Sequence, residues 1–165
     1  DGTRMAYRMH TDYLHQLYLN NDLAEGRYVA LGETLDLAAV DVPMFVVGTE
    51  TDHVAPWKSV YKVGKLVRSR DYTFCLTSGG HNAGIISGPV HPKRRHRVFT
   101  TKAGARLPSP AQYMKTVEPA PGSWWPTFAA WLAGHSTKTR VAPPKMGAAG
   151  YKPVCNAPGE YVLAR

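Results

Sequence analysis

Met5, Met9, Tyr13, Leu14, Leu17 and Tyr18 recur at spacings of three and four, which puts them on one face of a helix over residues 5–19 ending near Asn20-Asn21. Such a face needs a partner surface. The rhythm then changes. Val42-Pro43-Met44-Phe45-Val46-Val47-Gly48 is a continuous apolar run closed by glycine, the pattern of a strand covered on both faces in a parallel sheet. Pro43 stands at its start, where a missing ladder donor matters least. A polar loop, residues 49–56, leads through Pro56 into a helix from about Trp57 to Arg68. A second strand, Tyr72 to Thr77, follows and ends in the glycine-rich loop Ser78-Gly79-Gly80-His81-Asn82-Ala83-Gly84. Strand, helix, strand in this order predicts parallel strands joined by a right-handed crossover.

Residues 88–121 are rich in proline and basic residues and read as a long surface excursion with a short helix near Ala111 to Thr116. Ser123 can cap a helix running through Trp124, Trp125, Phe128, Trp131 and Leu132, with Pro126 in the first turn and Gly134 at the end. These tryptophans read as packing anchors. Pro143-Pro144 and the glycines from 147 to 150 mark an irregular tail. The expected class is α/β.

Composition allows a sizeable core, with 44% hydrophobic and 10% aromatic residues in 165. The formal charge of +8 is spread out apart from Lys93-Arg94-Arg95-His96-Arg97, which reads as a solvated loop. Cys75 and Cys155 lack CxxC spacing, so neither a disulfide framework nor a zinc knuckle is implied, and a reducing cytoplasmic setting fits. No apolar run reaches the roughly 18 residues that span a bilayer. A start at Asp1 rather than Met points to truncation.

In a parallel α/β sheet, reactive groups collect in the loops at the carboxyl ends of strands. Asp52 and His81 both occupy such loops, 29 residues apart, about one βαβ repeat. Acid then histidine on the last strand ends is the order of α/β-hydrolases, whose nucleophile comes earlier in the chain. Glycines beside His81 let the loop turn tightly, and a carboxylate on one ring nitrogen leaves the other as a base. Taken by themselves, the two residues also fit a helix-capping Asp and an ordinary loop His.

Several segments resemble polyhydroxyalkanoate synthases of the class I/II-like type. Gly48-Thr49-Glu50-Thr51-Asp52-His53-Val54-Ala55-Pro56-Trp57 is similar to the segment around that family's catalytic Asp. Ser78-Gly79-Gly80-His81-Asn82-Ala83-Gly84-Ile85 is similar to the segment around its catalytic His. Gly122-Ser123-Trp124-Trp125-Pro126 with Trp131-Leu132 resembles its C-terminal helix, Ala157 to Val162 its closing peptide, and Leu17 to Leu23 the stretch leading out of its lid.

The resemblance implies the C-terminal part of an α/β-hydrolase fold, incomplete without upstream strands. Residues 1–40 would end the lid, 41–135 would belong to the catalytic domain and 136–165 would form the tail. It implies an acyltransferase that polymerises (R)-3-hydroxyacyl-CoA into polyester with release of coenzyme A, which is substrate and product rather than cofactor. His81 would deprotonate a cysteine thiol, Asp52 would orient His81 and help activate the incoming hydroxyl, and His53 would support the pocket. Further implications are a homodimer, the growing polyester and granule surface as partners, and a cytoplasmic place at storage granules. The family's Gly-x-Cys-x-Gly elbow is missing from this sequence. Cys75 reads as a core thiol and Cys155 breaks the chain order, so the chain alone is expected to be inactive.

Three rival readings differ in class. A basic nucleic-acid-binding module would want aromatics interleaved with the basic run, where only Phe99 is near; no nucleic-acid partner is expected. A metal protein would want His-x3-His or HExxH spacing, which the seven histidines do not show; no metal is expected. An esterase or depolymerase could use the same Asp and His, although the Pro-Trp and Trp-Trp-Pro motifs speak against it.

Overall fold

A computed structural model describes residues 4–137 and 139–163; Asp1, the residue that suggests truncation, lies outside them. The chain forms two compact units, Asp1–Leu132 and Ala133–Arg165.

The first unit opens with helix α1, Tyr7–Tyr13, which runs on into a π-helical turn, Leu14–Leu19. It ends where expected, at Asn20, and Asn21 follows with φ of 53°, the left-handed region that asparagine tolerates. Met5, Met9, Tyr13, Leu14 and Tyr18 are all exposed, so the apolar face is built but uncovered among the described residues. Strands β1 (Val29–Ala30) and β2 (Glu33–Thr34) then form a small antiparallel hairpin. Its turn residues, Leu31 and Gly32, both have positive φ, the geometry that matches strand twist.

Strand β3 (Met44–Thr49), helix α2 (Trp57–Tyr61) with a 3-10 turn (Lys62–Lys65), and strand β4 (Asp71–Thr77) make the expected unit. The two strands are parallel, in register from Met44↔Tyr72 to Thr49↔Thr77. The helical stretch stops short of Arg68. Gly64 lies against the Tyr72 ring, where a Cβ would come within 2.6 Å. Helix α3 (Ala83–Ile86) follows the His81 loop.

The stretch 88–121 departs from its reading as a surface excursion. Residues Arg95–Lys102 form strand β5, antiparallel to β4 along its whole length. Helix α4 (Pro110–Thr116) matches the expected short helix, opened by a capping box between Ser109 and Gln112. Strand β6 (Ala120–Pro121) then completes a mixed sheet of order β3-β4-β5-β6. Of the run Lys93 to Arg97, Lys93 keeps the expected exposed loop position and Arg94 precedes the strand, whereas Arg95, His96 and Arg97 belong to β5. His96 is buried, with Nδ1 3.1 Å from Gly122 O and Nε2 3.0 Å from Thr127 Oγ1, and the Arg97 guanidinium donates to Val117 O. Basic side chains are accommodated in this strand by hydrogen bonds to main-chain carbonyls, the Thr127 hydroxyl and the Glu50 carboxylate.

Alternation along the strands splits the apolar residues between two faces. Tyr72, Phe74 and Leu76 meet Tyr61 and Tyr113 in the buried core, with Met44, Val46, Trp57 and Phe99 packed around them. On the other face Phe45 contacts Trp124, Phe128 and Trp131 of the segment around α5 (Trp125–Gly134). The tryptophans thus pack as anchors; Ser123 Oγ accepts from Trp125 N at 3.2 Å, but the N-cap position expected for Ser123 falls to Trp124, whose carbonyl accepts from Phe128 N. The α/β class holds, with helices on both sides of the sheet.

The second unit is irregular, with an isolated bridge between Ala148 and Tyr151 and a 3-10 turn, Tyr161–Leu163. Among the described residues no helix is long and apolar enough to cross a membrane.

One expectation for β3 fails in degree. The run was expected to be covered on both faces, yet Met44 to Val47 are only half-buried, because β3 is the edge of the sheet. A long apolar edge with unpaired backbone groups is a liability. The isolated chain is therefore expected to unfold in urea over a broad transition of low slope; a sharp transition at high urea would contradict this.

Candidate active site

Strands β3 and β4 end level with each other, and main-chain bonds carry the pairing beyond them. Glu50 N donates to Thr77 O at 2.9 Å and Thr51 N to Gly79 O at 3.1 Å. The Asp52 loop and the His81 loop therefore leave the sheet stitched together. Glycines make room for this. A Cβ on Gly84 would lie 2.6 Å from Thr49 Cγ2, and Gly79 has φ of 110°.

The Asp52 carboxylate is fixed by its own loop. Oδ1 accepts from Val54 N at 2.9 Å and Ala55 N at 2.8 Å, and Oδ2 accepts from Thr49 Oγ1 at 3.3 Å. His81 Nδ1 completes the shell, 3.1 Å from Oδ1 and 3.0 Å from Oδ2. The Ala55 N–H above all, then the His81 and Val54 donors, hold the Asp52 carboxyl down at about 2 against an ordinary 3.8. A carboxylate that stays ionised can only accept, so Nδ1 carries the proton. In the neutral ring Nε2 is then left with a lone pair. The Asp52 side chain is 7% exposed and that of His81 44%, so the carboxylate is enclosed while the imidazole stays accessible.

Asp52 and His81 thus come together as expected from the sequence. His53 is exposed on the same loop. Cys75 lies fully buried in the middle of β4, and burial pushes its thiol up to about 12; it is a core thiol. Cys155 is exposed in the second unit. The described residues contain no group of three His, Cys, Asp or Glu side chains able to hold a metal ion.

Sequence reasoning missed the frame around the pair. Arg95 reaches Glu50 at 2.6 Å, tying β5 to the Asp52 loop. The indole N–H groups of Trp124 and Trp125 both donate to Ile85 O, at 3.1 and 2.9 Å, holding the segment after His81. The Trp-Trp pair was visible as a motif, but nothing in its spacing names a carbonyl as its partner.

A scan against protein-family models found no match. Curated proteins do match. The chain is 38% identical to the poly(3-hydroxyalkanoate) polymerase subunit PhaC of Cupriavidus necator over 100% of this chain and 27% of that protein. It is 35% identical to the subunit PhaC of Rhizobium etli (100% and 25%) and 32% identical to poly(3-hydroxyalkanoate) polymerase 2 of Ectopseudomonas oleovorans (100% and 29%). The chain spans about a quarter of the length of these relatives. With such identity sustained from one end of the chain to the other, it belongs to the poly(3-hydroxyalkanoate) polymerase family.

Proposed function

We propose that this chain supplies the Asp- and His-bearing, C-terminal part of a polyhydroxyalkanoate synthase, whose cysteine nucleophile comes from elsewhere in the full-length protein. The observation that carries the reading is the contact of His81 Nδ1 with both Asp52 oxygens at the ends of neighbouring parallel strands. His81 Nε2 takes the proton of the cysteine thiol. The thiolate attacks the carbonyl carbon of an (R)-3-hydroxyacyl-CoA thioester, the bond to the coenzyme A sulfur breaks, and the imidazolium returns its proton to that leaving sulfur. Asp52 keeps Nδ1 protonated and stabilises the imidazolium. It also helps activate the hydroxyl of the incoming monomer, whose oxygen attacks the acyl-enzyme carbonyl; the bond to the cysteine sulfur breaks, the hydroxyl proton passes through His81 to that sulfur, and the chain is lengthened by one ester.

Neither cysteine of this chain is that nucleophile. The buried thiol of Cys75, raised to about 12, is neither ionised nor accessible at neutral pH. His53 supports the pocket or substrate path, residues 1–40 end the lid, and the stretch Leu17 to Leu23 leads out of it. The full-length enzyme is a cytoplasmic homodimer at the surface of polyester granules, uses no metal or separate cofactor, and binds no nucleic acid.

In the full-length protein, His81→Ala should abolish both acyl-enzyme formation and coenzyme A release from 3-hydroxybutyryl-CoA, whereas Cys75→Ser should keep turnover. Normal coenzyme A release by His81→Ala would remove His81 from the mechanism. Free 3-hydroxy acid without polymer from the unmodified enzyme would mark a hydrolase. Asp52 gives a second test. Its folded carboxyl titrates at about 2 against 3.8, so the stabilisation is fully present above the ordinary value and is lost as pH falls through the folded one. Denaturation midpoints of the unmodified protein should fall more steeply than those of Asp52→Asn as pH drops from about 4 to about 2; parallel curves would show that the loop does not favour the ionised carboxylate.

A further inference from the structure

The basic run places Arg94 immediately before β5, and none of its recorded hydrogen bonds goes to an acid. Nη1 donates to Ser78 O at 3.3 Å, Nη2 to Ala83 O at 3.0 Å and Nε to Ser87 Oγ at 2.7 Å. Ser78 and Ala83 bracket the loop that carries His81. One planar group therefore holds both ends of that loop, and Ser87 Oγ, itself donating to Ala83 O, braces the far side. The loop is shaped around the guanidinium, since a Cβ on Gly79 would lie 2.5 Å from Arg94 Nη1. Arg95 also meets this loop, but through its main chain, which exchanges bonds with Ser78 while its side chain goes to Glu50; Arg94 is the member of the run whose guanidinium enters it.

We infer that Arg94 is a positioning residue for His81, a clamp whose fork of donors fixes the loop so that the imidazole meets the Asp52 carboxylate. The inference rests on the proposed role of His81. Guanidinium suits the task for two reasons. Its donors are coplanar and divergent, so one rigid group can satisfy two carbonyls and a hydroxyl at once. Its charge is also delocalised and more weakly hydrated than an ammonium, so less is lost when it is drawn onto loop carbonyls. A lysine ammonium keeps the charge but cannot reproduce the fork.

The test uses the full-length protein and coenzyme A release from 3-hydroxybutyryl-CoA. Arg94→Lys and Arg94→Ala should each lower kcat about tenfold to hundredfold, the cost of a displacement of about 1 Å at the reacting groups. KM should stay within about twofold, because the lost interaction aligns catalytic groups rather than holding substrate. The folded fraction at the assay temperature should stay close to that of the unmodified protein even where the unfolding temperature falls, and methylguanidinium should restore turnover to Arg94→Ala but not to Arg94→Lys. Wild-type kcat in Arg94→Lys would overturn the inference, as would a loss that matches the fraction of unfolded protein. Ser87→Ala, which removes the Nε acceptor and keeps the charge, should lower kcat by a smaller factor. If the Arg94 variants do not fold, unchanged kcat in Ser87→Ala overturns the clamp. His81→Ala separates the two levels: turnover in that variant defeats the dyad itself, whereas a dead His81→Ala beside fully active Arg94 variants defeats the clamp alone.

Discussion

The in-register parallel pairing of β3 with β4 is the constraint on which the site depends. Residues 49 and 77 stand opposite each other, and the bonds from Glu50 N and Thr51 N extend the ladder into the loops. A slip of one residue would move one loop by about 3.3 Å along the other and turn every side chain of that strand to the opposite face. His81 Nδ1 could not then lie 3.0 Å from Asp52. The register is protected by the core, because Phe74 and Leu76 lie fully buried on the face that packs against Tyr61 and Tyr113, and a slip would exchange them for Thr73 and Cys75.

What the sequence revealed was what is encoded locally. The apolar runs at 42–48 and 72–77, each closed by a polar or glycine-rich loop, were enough to place two parallel strands and to set Asp52 and His81 at one sheet end. The structure assigns those strands to Met44–Thr49 and Asp71–Thr77. Strand β5 was hidden for a physical reason. Its first half carries Arg95, His96 and Arg97, whose partners are Glu50, the carbonyls of Gly122 and Val117, and the Thr127 hydroxyl, supplied from as far as 45 residues away. Composition reads a basic residue as solvated, and only these tertiary partners make it a strand residue. The signal that could have found it is the run Val98-Phe99-Thr100-Thr101, β-branched and aromatic throughout.

The same accounting changes the meaning of the positive charge. At Arg94, Arg95 and Arg97 the charge holds loops and chain crossings within the first unit, through carbonyl, hydroxyl and one carboxylate acceptors. Hydrogen bonds from an ionised donor are stronger than neutral ones, and a buried carbonyl left without a partner is costly. A cluster that looks like a surface for polyanions is therefore better understood as internal scaffolding at the edge of the candidate site.

Division of labour follows from where the hydrogen bonds end. The Asp52 carboxylate is oriented by Val54 N, Ala55 N and Thr49 Oγ1, and the His81 loop is held by Arg94, Trp124 and Trp125. Every one of these donors lies within this chain. The proposed acid–base pair is thus held by bonds within this chain, with Nδ1 directed at the carboxylate. On the proposed function, what the nucleophile must supply is a thiol within reach of Nε2. The orientation of the imidazole toward the carboxylate, which proton transfer at Nε2 would require, is thus set by bonds within the folded chain.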